Sequence, residues 1–135
     1  MVGRHRRIDR TLRESARDLL AKTGLDAAAW DQPVRDLGQG EQRLVEIARV
    51  TAAKPRLLLL DEPTVGMGEE DVAAFGNWLA DQQATGVAVI LVSHDMRFVL
   101  SRCDRVLAMH FGRTLAQGDP QHVRSNTDVI AAYLG

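Results

Sequence analysis

The chain has 135 residues, with 17 basic and 18 acidic side chains and a net charge of -1. That length holds one core burying about two-thirds of its unfolded surface, which excludes two full domains or a repeat array, and the charge balance excludes bulk attraction to nucleic acid or an anionic membrane. No apolar run approaches the length of a membrane span, and the single cysteine, Cys103, excludes an intrachain disulfide and points to a reducing compartment.

The opening Met1–Arg7 is charged, has no apolar segment after it and does not read as a secretory signal. Ile8, Leu12, Ala16, Leu19 and Leu20 recur at helical spacing, and Gly24 is placed to cap that helix. Arg6, Arg10, Arg13 and Arg17 share it with Asp9, Glu14 and Asp18. With no interleaved aromatic to stack on bases, the basic residues read as a solvated face. Residues 24–36 read as a loop, with Trp30 a packing residue. A second helix is expected from about Gly40 to Ala53, with Leu44, Ile47 and Ala48 inward and Lys54-Pro55 at its end.

Leu57–Leu60 carries no alternation, so a parallel strand covered on both faces is expected. It runs into Asp61-Glu62-Pro63-Thr64 and the loop Val65-Gly66-Met67-Gly68. A helix then opens on Glu69-Glu70-Asp71, whose charges suit a positive helix end, and Gly86 closes it. A second apolar strand, Val87–Val92, ends at Ser93-His94-Asp95. A short helix to Arg102 follows, then strands at 105–110 and 114–117 joined through Phe111-Gly112-Arg113, then one or two small helices after Gly118-Asp119-Pro120. Met67, Met96 and Met109 read as packing residues. Cys103 has no neighbouring base and reads as buried. The order is α/β with at least two parallel strands.

In open α/β sheets, ligands lie beyond the carboxyl ends of the strands. Both apolar strands end there in ionisable residues. Adjacent carboxylates repel unless something positive sits between them, so Asp61-Glu62 points to a metal. His94 is placed to meet a phosphate or orient water. Asp95 reads more simply as a helix N-cap. The third feature is Leu37-Gly38-Gln39-Gly40-Glu41-Gln42-Arg43, where glycines open a helix whose first N–H groups converge on one spot, a phosphate-binding arrangement.

In order and spacing, these features resemble the C-terminal half of an ATP-binding-cassette (ABC) ATPase. Leu37–Arg43 resembles the family's signature motif, Leu57–Glu62 its Walker B strand with the catalytic glutamate, and Val65–Gly68 its D-loop. His94 matches the switch histidine, and Asp104-Arg105-Val106 through Arg113–Pro120 resembles the closing hairpin. Glu62–Met67 and the ending Val129–Gly135 are most similar to cassettes of branched-chain amino acid importers. The resemblance implies a partial P-loop NTPase fold: parallel strands covered by helices, plus a C-terminal β-hairpin and short terminal helices. It implies one partial domain over residues 1–135, divided into a signature-helix region (1–56), a stretch from Walker B to the switch histidine (57–95) and a hairpin with helices (96–135). It implies catalytic roles for Glu62 and His94 and a metal-holding role for Asp61. Leu37, Gly38, Gln39, Gly40, Glu41, Gly66 and Gly68 fall at nucleotide-binding positions. ATP and Mg²⁺ are the implied cofactors, in a complete assembly only.

The implied partners are a second ABC ATPase subunit and transmembrane permease subunits, without nucleic acid or direct membrane insertion. The implied location is cytoplasmic, at the inner face of the plasma membrane.

These 135 residues contain no G-x-x-x-x-G-K-[ST]; Lys22 and Lys54 each follow Ala. The family's glutamine loop is also lacking. The expectation is therefore half a cassette, inactive as an isolated chain, with one side of its apolar strands uncovered. Gly38 stands where the family usually has Ser, and Gly68 where its D-loop usually has Asp or Asn; both put efficient hydrolysis in doubt. The alternative reading is a truncated, non-catalytic fragment that only interacts with another cassette subunit.

Overall fold

The computed structural model describes the backbone of residues 2–134 and the side chains of residues 10–133. The side chains of the basic opening, His5, Arg6 and Ile8 among them, lie outside the described residues. The chain divides into two compact units, Met1–Ile90 and Leu91–Gly135.

In the first unit, α1 (Val2–Thr23) stops at Gly24, whose φ of +85° suits a residue without a Cβ. A Cβ there would also lie 2.7 Å from Ala74 Cβ, so the position demands glycine twice over. Among the described residues of the apolar stripe of α1, Leu19 and Leu20 are half-buried and Leu12 is exposed. The connection to the next helix contains two short 3₁₀ turns, Ala27–Ala29 and Val34–Asp36. Trp30 packs there, its Nε1 donating to Leu25 O at 3.0 Å.

Helix α2 (Gln39–Ala52) turns Leu44, Ile47 and Ala48 inward. It ends at Lys54, held at φ +49° just before Pro55. Strand β1 (Leu57–Asp61), helix α3 (Glu69–Ala84) and strand β2 (Ala88–Val92) make the parallel β-α-β unit expected from the sequence, with β1 and β2 hydrogen-bonded neighbours. The core gathers Leu44, Leu58, Phe75, Trp78 and Leu79, with the rings of Phe75 and Trp78 stacked at 5.6 Å. Trp78 Nε1 is buried without a partner.

The coverage of β1 departs from the expectation of two buried faces. Leu58 is 2% exposed, whereas Leu57 and Leu59 on the opposite face are 47% and 70% exposed. Ile90 of β2 is also open, at 55%. The physical reason is that α2 and α3 supply side chains to one face, and no described helix of the first unit supplies them to the other. The uncovered side expected for half a cassette is therefore present.

The second unit holds α4 (Met96–Arg102), the antiparallel pair β3 (Val106–His110) and β4 (Arg113–Gly118), and two short helices, α5 (Pro120–Ser125) and α6 (Thr127–Val129). A π-helical turn, Ile130–Leu134, follows them. Register runs from Val106 opposite Gly118 to His110 opposite Arg113, with an irregularity at Ala108/Met109. The reversal uses Phe111 and Gly112 at φ +45° and +74°, the left-handed pair that a two-residue hairpin turn requires. Arg113 thus belongs to the strand instead of the turn.

Val99, Val106, Ala108, Ala116, Val123 and Val129 form the core of this unit, with Met96 and Cys103 packed against it. Met109 does not pack as expected and is exposed; its carbonyl accepts from the Tyr133 hydroxyl. Burial pushes the Cys103 thiol above its ordinary range and the adjacent Asp104 adds to the effect, which suits a packing role.

Candidate functional site

The site of the first unit begins at the start of α2. Gly38 is the N-cap, in extended conformation and without a side chain to cap the helix. Glu41 reaches back instead, its Oε2 accepting the Gly38 N–H at 2.8 Å, which is half of a capping box. Gln42 Nε2 donates to Leu37 O at 2.9 Å, and the buried Leu37 side chain anchors the turn. Residues 39–41 carry the N–H groups that precede any intrahelical acceptor. They sit at the positive end of the helix dipole, where an anion is favoured. Gln39 is exposed at this end and Gly40 is buried.

Asp61 is the last residue of β1 and is exposed. It borders a cavity of about 150 Å³ between α2 and β1, lined also by Arg43, Ile47, Leu58 and Trp78. Arg43 pairs with Glu46 at 2.8 Å on that wall, so a cation does line the same cavity as Asp61.

Glu62 follows, half-buried, at φ +45°. A glutamate in the left-handed region carries backbone strain of about 1–2 kcal/mol. From here the chain makes two successive turns: Val65 N donates to Glu62 O at 3.3 Å, and Met67 N to Thr64 O at 3.2 Å. Gly66 takes φ +80°, and Gly68 is the N-cap of α3.

The turn at 38–40 and the loop at 61–68 meet. A Cβ on Gly66 would sit 3.0 Å from Gln39 Oε1, and one on Gly40 would sit 3.3 Å from Gly66 O. The structure therefore brings Gln39, Gly40 and Gly66 together, with Gly38 and Glu41 in the same turn and Gly68 at the far end of the loop.

His94 belongs to the second unit. It is exposed on the bend after β2, its carbonyl accepting from Met96 N at 3.0 Å. Asp95 Oδ1 accepts from Phe98 N at 3.0 Å, so Asp95 is a helix cap as expected.

Among the described residues no group of three or more His, Cys, Asp or Glu side chains could hold a metal. Asp61 and Glu62 offer hard carboxylate oxygens. Mg²⁺ takes one or two such ligands and completes its shell with water and phosphate. The donor set therefore fits a Mg²⁺ that arrives with a phosphate ligand and does not fit a closed all-protein site.

Sequence reasoning placed Arg43 in the motif 37–43 and missed it as part of the wall of the cavity that Asp61 borders. Glu41 carried a signal, three residues after the cap, at capping-box spacing.

Residues 4–65 match the family model described as ABC transporter, and residues 113–135 match that of the branched-chain amino acid ATP-binding cassette transporter. The high-affinity branched-chain amino acid transport ATP-binding protein BraF of Pseudomonas aeruginosa is 37% identical over 131 residues, 96% of this chain and 51% of BraF. LivG of Escherichia coli, with the same description, is 37% identical over 101 residues, 74% of this chain and 40% of LivG. Among solved structures, cbiO1 of Clostridium perfringens, part of the ABC transporter complex cbiONQ, superposes with a TM-score of 0.72 at 32% identity. That match covers 92% of this chain and 49% of cbiO1. The chain spans about half the length of these proteins, or less.

Proposed function

The chain belongs to the ABC ATPase family, and from that premise we propose that it forms the C-terminal half of the ATP-hydrolysing subunit of an importer, with branched-chain amino acids as cargo. The observation that carries this reading is the seating of the glycine turn of α2 directly against the loop that follows Asp61-Glu62. A turn with free N–H groups binds phosphate, and a carboxylate beside it handles water; hydrolysis of a phosphoanhydride needs both.

In the complete assembly, the turn Gly38-Gln39-Gly40 faces a nucleotide held by a second cassette subunit, and Leu37 and Glu41 hold that turn in shape, Glu41 by accepting the Gly38 N–H. Asp61 would hold Mg²⁺, and that ion would supply neutralisation of phosphate charge. Glu62 accepts a hydrogen bond from water and polarises it for in-line attack. The water oxygen bonds to the γ-phosphorus, the bond to the ADP oxygen breaks, and the water proton leaves toward the carboxylate. His94 contacts the γ-phosphate. Gly66 and Gly68 shape the loop that crosses to the partner subunit. The P-loop comes from residues outside these 135. Among the described residues no helix is long and apolar enough to cross a membrane, and the proposed location is the cytoplasmic face, docked on permease subunits.

The test is Glu62→Gln in a cassette completed with a P-loop half. Turnover should fall at least a hundredfold while ATP binding is retained, measured by phosphate release and nucleotide titration. Normal turnover in that variant would remove the assignment. Gly38 and Gly68, where the family carries polar side chains, favour a second reading: a half-site that binds a partner's nucleotide without efficient hydrolysis. Low turnover of the unmodified assembly, with nucleotide-dependent pairing intact, would select it.

A further inference from the structure

The two main chains at the site touch with nothing between them. A Cβ on Gly40 would lie 3.3 Å from Gly66 O, 3.3 Å from Met67 Cα and 2.9 Å from Asp71 Oδ2. From the other side, a Cβ on Gly66 would lie 3.2 Å from Gln39 Cβ. Asp71 is half-buried in the first turn of α3, and its Oδ2 is also 3.9 Å from where a Cβ on Gly68 would stand. One carboxylate therefore lies against the first turn of α2 and against the cap of α3. Both helix ends are positive, and a negative group between them attracts both. Glu69 and Glu70 of the same turn are exposed, and Glu41 is already engaged on the Gly38 N–H.

We propose that Asp71 is a positioning residue whose carboxylate clasps the start of α2 to the start of α3, so that the glycine turn 38–40 and the acidic loop 61–68 shift as one body. The functional weight of the clasp rests on the reading above, in which the turn meets a phosphate and the loop meets water. A pull on the turn is then transmitted to the backbone of Glu62 without a hinge between them.

The experiment is amide hydrogen exchange on the 135-residue chain, comparing the parent with Asp71→Asn and Asp71→Ala. The hydrogen-bonded amides of the two segments, Gly38 and Gln42 in one and Val65 and Met67 in the other, should lose protection together, several-fold in Asp71→Ala and less in Asp71→Asn, with residues 96–130 unchanged. A charge-dipole clasp is also screened by salt. Joint protection should therefore fall with ionic strength in the parent and stay flat in Asp71→Asn, a response that a purely packing role does not give. Loss of protection in one segment alone, or in neither, overturns the proposal, as does an identical salt response in parent and variant. Should Asp71→Ala not fold, Asp71→Asn, which keeps the volume, decides. No nucleotide is used, so failure here and failure of the Glu62→Gln test are separate results.

Discussion

Helices of the second unit begin on side-chain caps, and those at the candidate site do not. Asp95 caps α4, Asp119 caps α5 by accepting from His122 N at 2.9 Å, and Asn126 caps α6 with bonds of 2.9 and 3.1 Å. In the first unit α2 and α3 begin on Gly38 and Gly68, with no side-chain cap. A satisfied helix start stabilises its own unit; an unsatisfied one leaves N–H groups for something else. The two bare starts are the two that flank Asp61-Glu62. The helices of the second unit are thus closed by their own side chains, while the starts of α2 and α3 have no capping side chain at the N-cap itself.

That contrast can be broken most strongly at Gly66. Gly66→Ala places a side chain at φ +80° and within 3.0 Å of Gln39, and should lower stability by about 2–3 kcal/mol in urea unfolding. Asp95→Ala removes a made cap and should cost about 1 kcal/mol in the same measurement. Gly38→Ser adds the missing hydroxyl at a position with ordinary φ and room for a Cβ, 3.4 Å from Glu41 Oε2. It should raise stability by about a few tenths of a kcal/mol and, in a completed cassette, raise turnover.

The smallest effect is one of pH. Cys103 holds its proton more tightly folded than unfolded, so its contribution is present below the unfolded thiol range and lost as pH rises through the folded value. Cys103→Ser should flatten the decline in stability above about pH 9.

The sequence made much of this legible, for physical reasons. Periodicity located α2 and an acidic start located α3, and their starts moved by no more than a residue, because a glycine cap and an acidic first turn are local signals. Asp95 was readable as a cap because capping is satisfied within three residues. The hairpin was readable from Gly112, although Arg113 proved to be in the strand. Three things were not legible. Leu57–Leu60 predicts two covered faces, because an apolar run reports what a strand can be packed against and not which neighbours are present. The seating of Gly40 on Gly66 joins residues far apart in sequence, and each glycine alone reads as an ordinary turn residue. The φ of +45° at Glu62 also had no local signal, since glutamate is not a residue that turn chemistry selects.

Leu57 and Leu59 facing water give the polypeptide a second variable of state besides temperature. In dilute solution the bare side of the strand meets solvent; as chains crowd, the same leucines meet one another, and self-association grows with concentration at constant heat.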